Sequence, residues 1–212
     1  TEQRNQQKST EQRNQQKSTE QRNQQKSMQQ EWKLTVPASP EEISLLKAGD
    51  AVSLSGCILT GRDAAHKRMT EYLDKGIALP FDIKDQGIYY TGPCPAAPGK
   101  IIGSCGPTTS SRMDRYTPRL LDLGLKIMIG KGQRSPEVID AMVRNGAVYL
   151  AAVGGAGALI AQCVKKAQVI AFEDLGPEAV YRLEVKNFPL TVAIDARGNN
   201  LYDIGPRQYR QL

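Results

Sequence analysis

Residues 1–27 contain no apolar position, and from there on apolar and polar residues alternate in two distinct periods. Trp32-Lys-Leu-Thr-Val36 alternates with period two and predicts a short strand. Ser39-Pro40-Glu41-Glu42 is a capping box with proline at the first helical position, and it predicts a helix through about Lys47. An apolar, β-branched run over 51–59 predicts a second strand ended by Gly61, and 62–75 a helix closed by Gly76. Residues 88–91 predict another strand, and Pro93 to Gly99 a loop, because the prolines there exclude a helix. From Lys100 the alternation becomes regular. Strands over 100–104, 125–129, 147–153, 168–172 and 190–195 interleave with helices over 109–123, 135–145 and 156–165, before a turn at 197–200. This order predicts a single layered α/β domain, its strands mixed but mostly parallel.

The polar start is a nine-residue unit, Thr-Glu-Gln-Arg-Asn-Gln-Gln-Lys-Ser, written three times and ending at Met28. Solenoid repeats need apolar positions to stack on one another, and this one has none. It reads as a tag or a disordered polar tail, so the folding sequence is 28–212. The repeat also distorts the charge. Each copy carries Arg, Lys and Glu, so half of the formal +6 belongs to it. What remains is too weakly basic, and too poor in aromatics with three Phe and one Trp, to point to nucleic acid. No apolar run is long enough for a transmembrane helix, and the N-terminus has no apolar leader. Four scattered cysteines (Cys57, Cys94, Cys105, Cys163) form no Cys-x-x-Cys pair, which argues against a metal or cluster site held by this chain alone. They predict reduced thiols in a cytoplasm. The single histidine, His66, excludes a His-based metal centre within the chain.

Three glycine-marked turns between a strand and a helix carry candidate chemistry. In Gly61-Arg62-Asp63-Ala-Ala-His66, Arg62 could clamp a carboxylate while Asp63 caps the helix or orients Arg62. A solvated basic first turn would read the same way, and His66 suits a supporting role better than that of a free base. In Gly106-Pro-Thr108-Thr109-Ser-Ser-Arg112-Met, five backbone N–H groups at a helix start, hydroxyls at 108–111 and Arg112 one turn in predict an anion site. Gly130-Lys131-Gly132 would let the backbone approach a ligand beside an ammonium. One cation per turn suggests a substrate with two or more carboxylates or phosphates. Gly154-Gly155-Ala-Gly157, between a strand and a helix and followed by a strand ending at Glu173, resembles half a dinucleotide fingerprint. Ile160 replaces its third glycine, so close helix–strand packing explains it better than a nucleotide-binding or regulatory module.

Taken in order, Gly61-Arg-Asp-Ala-Ala-His66, Gly106-Pro-Thr-Thr-Ser-Ser-Arg-Met113 and Gly130-Lys-Gly132 resemble the C-terminal domain of class I fumarases. The same domain forms the β subunit of two-subunit fumarases and L-tartrate dehydratases. The resemblance implies a swivelling β/β/α fold and a hydro-lyase that interconverts fumarate and malate or dehydrates a tartrate. It implies a [4Fe-4S] cluster on a partner α subunit, none on this chain, and a hetero-oligomer; it leaves a homodimer of the isolated subunit open. By the same resemblance Arg62, Arg112 and Lys131, with Thr109, bind a C4 dicarboxylate and Thr108 matches the proposed catalytic base. Asp63 and His66 stand behind them. A threonine hydroxyl is too weak an acid to serve unaided, so Thr108 needs an activating group that this chain does not obviously contain.

Overall fold

The computed structural model describes residues 31–209, so the repeat over 1–27 lies outside the described residues. Seven strands are present: β1 (Glu31–Val36), β2 (Ala51–Thr60), β3 (Gly87–Tyr89), β4 (Ile127–Gly130), β5 (Val148–Ala151), β6 (Val164–Ala171) and β7 (Val180–Ile194). Six α-helices accompany them: α1 (Pro40–Leu45), α2 (Asp63–Asp74), α3 (Thr117–Asp122), α4 (Pro136–Asn145), α5 (Gly157–Cys163) and α6 (Leu201–Tyr209). Two 3₁₀ segments, Ser110–Met113 and Glu173–Glu178, complete the set. The strands form one mixed sheet of order β1-β2-β3-β4-β5-β7-β6 with an added β2–β7 pairing. Strands β2 to β5 run parallel, whereas β7 is antiparallel to β2, β5 and β6. The added pairing closes β2, β3, β4, β5 and β7 into a ring. Three of the six pairings among β2 to β7 are antiparallel, so parallel pairing does not predominate there.

Alternation along the strands sorts side chains into two cores. Tyr89, Ile127, Ile129, Val148 and Leu150 pack with residues of β1, α1, β7 and α5. Their neighbours Ile88, Tyr90, Met128 and Tyr149 face α2, α3 and α4 through Met69, Leu120 and Met142. The Ser39 capping box forms as the sequence predicts, with Glu42 N–H donating to Ser39 Oγ at 3.2 Å and Ser39 N–H to Glu42 Oε2 at 2.9 Å.

Several expected elements differ. Residues 100–104 are not a strand. Their partner segment is Pro93-Cys94-Pro95, and two prolines leave only Cys94 N–H to donate, to Ser104 O at 2.9 Å. The helix expected over 109–123 is a 3₁₀ turn followed by the short α3, because Pro118 fits only the first turn of a helix. The last strand starts ten residues earlier than Leu190. Asn187 at φ 54° and Pro189 hide its first part, yet Pro189 lies opposite Ser53 within the β2–β7 ladder. The half dinucleotide fingerprint at Gly154–Gly157 is not part of a dinucleotide unit, in keeping with its reading as helix–strand packing. β6 pairs antiparallel with β7 instead of lying parallel beside β5. Gly157 serves packing: a Cβ there would come within 2.8 Å of Gly106 N.

Candidate functional site

Because β2, β3 and β4 are parallel, their C-terminal ends open on one rim, the side of an α/β sheet where ligand groups collect. Arg62 and Asp63 follow β2, and Lys131 follows β4. The 105–113 segment returns across the same rim. Thr108 N–H donates to Tyr90 O at 2.7 Å, Ser110 N–H donates to Lys131 O at 2.9 Å, and Thr109 bridges Lys131 in parallel register. Thr108 is half-buried, while Thr109, Arg112 and Lys131 are exposed. The structure therefore brings the three glycine-marked turns to one edge.

It also changes what these turns do. The expected helix-start anion site is incomplete, since two of its backbone donors are spent on Tyr90 and Lys131 and the element is a four-residue 3₁₀ turn. Asp63 neither caps α2 nor orients Arg62. It pairs with Arg112 instead, whose Nε donates to Oδ1 at 2.9 Å while Nη2 lies 2.7 Å from Oδ2 as an ion pair. Arg62 instead faces Glu178, with Nη2 at 3.5 Å from Oε1. Lys131 has no carboxylate partner among the described residues. Gly130 is needed by the protein itself, because a Cβ there would collide with Ser110 Oγ and Tyr90 Cδ2.

His66 is fully buried, and its Nδ1 lies 2.8 Å from the Arg62 carbonyl, where a neutral ring donates. Burial away from water pushes its pKa down to about 4, with the positive charge of Arg134 adding to that and the Arg62 carbonyl opposing it. His66 thus fixes the backbone of Arg62 and does not face the rim as a base. A group whose folded pKa lies below its unfolded value of about 6.5 stabilises the fold fully above pH 6.5. That contribution is lost as pH falls toward 4, by about 3 kcal/mol in all. As His66 is the single histidine, its imidazole NMR signal is unambiguous. We expect it to titrate near pH 4; a midpoint close to 6.5 would show the ring to be open to water.

Two residues were missed by sequence reasoning. Glu178 lies ahead of β7 and reaches α2, where its Oε2 accepts Ala64 N–H at 2.9 Å. Arg134 is buried behind Lys131, with Nε 2.7 Å from Asp114 Oδ1, Nη2 2.9 Å from Thr117 Oγ1 and Nη1 3.3 Å from Tyr90 Oη. Neither stands in a motif; the one available signal for Arg134 was its place next to the Gly130–Gly132 turn.

Among the described residues no three His, Cys, Asp or Glu side chains are grouped to hold a metal ion. Cys57 and Cys94 are exposed and Cys105 is buried, its thiol pushed up to about 11 chiefly by that burial. These thiols do not fit an iron–sulfur cluster, and the chemistry available here belongs to cations and hydroxyls. No helix among the described residues is long and apolar enough to cross a membrane.

Residues 4–205 match the family model described as "Fumarase C-terminus". The chain is 40% identical over 164 residues to the aerobic class I fumarate hydratase of Salmonella typhimurium, covering 76% of this chain and 28% of that protein. The aerobic class I enzyme of Escherichia coli is 40% identical over 163 residues, 76% of this chain and 30% of its own. The chain thus spans less than a third of these two relatives. A Methanocaldococcus jannaschii protein named "Putative L(+)-tartrate dehydratase subunit beta" is 40% identical over 179 residues, 81% of this chain and 92% of its own length.

Proposed function

The chain belongs to the fumarase C-terminus family, and from that premise we propose that it is the β subunit of a hydro-lyase interconverting fumarate and (S)-malate. The observation that carries this reading is the rim, where the turns bearing Arg62, Arg112 and Lys131 share one edge with Thr108 and Thr109. Removing water from a hydroxydicarboxylate requires both carboxylates to be held so that the breaking C–H and C–O bonds align. Two guanidiniums and an ammonium suit that task. As the proton leaves, charge builds on one carboxylate, and Arg112, already held by Asp63, stabilises it without rearranging. Thr108, on the half-buried inner side of the rim, is the proposed proton acceptor.

The activating group for Thr108 is proposed to come from a partner α subunit, since Asp63 is engaged by Arg112 and His66 is turned away. The same partner is proposed to carry the [4Fe-4S] cluster, which would supply Lewis acidity toward the leaving hydroxyl. On this reading 28–212 is a catalytic domain of the swivelling β/β/α type within a hetero-oligomer. A cytoplasmic location is supported by the four free cysteines.

A second reading is the β subunit of an L-tartrate dehydratase, favoured by the near-complete coverage of the archaeal relative. Reconstitution separates the two. Residues 28–212 are mixed anaerobically with a cluster-loaded α subunit, and turnover of fumarate and of L-tartrate is followed. Fumarate hydration is expected to dominate. A complex that forms and converts neither compound would refute both readings.

A further inference from the structure

Glu178 has no counterpart in the chemistry assigned to the rim, yet it faces one of its cations, Arg62, at 3.5 Å. The β2–β7 ladder brings it there. Leu59 is in register with Arg182, and Thr60 Oγ1 accepts Tyr181 N–H at 3.0 Å, so the residues just before β7 lie beside those just after β2. One Glu178 oxygen takes the Ala64 N–H in the first turn of α2, at 2.9 Å, which fixes the carboxylate. Its other oxygen faces Arg62 Nη2 at 3.5 Å. Gly92 packs against the same arginine. A Cβ on Gly92 would stand 2.8 Å from Arg62 Cδ, 2.9 Å from its Nη1 and 3.1 Å from Pro177 O. Arg62 therefore lies in a slot left open by the missing Cβ of Gly92, with Glu178 facing its Nη2, and its side chain keeps 26% of its surface exposed.

We propose that Glu178 is a positioning residue for Arg62, holding the guanidinium in the Gly92 slot at the angle from which it meets a substrate carboxylate. This rests on the reading of Arg62 as a carboxylate clamp. An arginine has several rotamers open to it from a helix N-cap, and a clamp is useful only if one of them is occupied before the substrate arrives. Glu178 selects it by charge, and the missing Cβ of Gly92 leaves room for it. A clamp engaged equally in the bound and reacting states affects affinity more than rate.

The test uses the reconstituted complex. Glu178→Gln keeps the shape and an acceptor for Ala64 N–H but removes the charge, and it is expected to raise the dicarboxylate KM about tenfold while changing kcat far less. Gly92→Ala is expected to raise KM in the same way by closing the slot. The decisive arm is the Arg62→Ala background, where Glu178→Gln is expected to add nothing further. An unchanged KM for Glu178→Gln, or an equal rise in the Arg62→Ala background, would overturn the proposal, because Glu178 would then merely cap α2. If Arg62→Ala itself leaves KM unchanged, the clamp reading fails, and the inference fails with it.

Discussion

Arg112→Ala is expected to lower kcat/KM of the reconstituted complex by about 10²- to 10³-fold, the scale seen when one preorganised charge-stabilising donor is removed from an active site. The reason lies in how Arg112 is held. Its Nε donates to Asp63 Oδ1 and its Nη2 lies 2.7 Å from Oδ2, so the guanidinium is held by one hydrogen bond and an ion pair before any ligand arrives. Its Nη1 donors have no partner among the described residues. A substrate carboxylate meeting them would find a cation already oriented, and charge developing there would need no reorganisation. Arg112→Lys keeps the charge, but an ammonium cannot face Asp63 on one side and present further fixed donors to a ligand on the other, so an intermediate loss is expected. Asp63→Asn should reduce turnover by loosening Arg112. The side chains are 50% and 34% exposed, and such surface pairs contribute roughly 0–1 kcal/mol to stability. The loss in rate therefore should come without unfolding, which a thermal melt of the same samples checks. Turnover within threefold of the parent would remove Arg112 from the chemistry.

The turns at 62, 108–112 and 131 were legible in the sequence because each combines a glycine with a nearby cation, although only those at 62 and 131 follow a strand. Partners were not legible. Asp63 sits next to Arg62 in sequence and yet serves Arg112, 49 residues away, because the 105–113 segment folds back over the ends of β3 and β4. That return is a tertiary event, guided by two backbone hydrogen bonds that any residues could make. Glu178 was hidden for a related reason, since only the β2–β7 register places it beside Arg62. Local signals read well where they were complete: Ser39 to Glu42 at one helix start, and Asn145-Gly146 at the end of α4, where Gly146 takes φ 60°. They misled where a single residue argued against its surroundings. Pro189 denied a strand that the antiparallel ladder imposes, and Thr109 to Leu123 looked helical despite Pro118.

Arg134 is not legible in the sequence because arginines are rarely fully buried unless paired, and nothing nearby in sequence announces the pair. Its side chain has no exposed surface and that of Asp114 only 12%, so the ion pair lies in the protein interior. Asp114 also accepts Ser135 N–H at 2.7 Å, at the start of α4. The guanidinium stands over the rings of Tyr90 and Tyr149, 5.2 Å from each centroid. Asp114 follows the turn that carries Arg112, and Arg134 follows Lys131, so the pair ties two rim turns to each other from below. Arg134→Met fills similar space but leaves Asp114 without its counter-charge, and removing one partner of a buried pair typically costs 3–5 kcal/mol. We expect a loss of about that size in denaturant unfolding, with the slope against denaturant unchanged. Arg134→Lys is expected to recover only part of it, since one ammonium cannot reach Asp114, Thr117 and Tyr90 together. A loss below about 1 kcal/mol for Arg134→Met would mean that Asp114 finds water or another donor once the arginine is gone, and that the two turns are held by their backbone contacts alone.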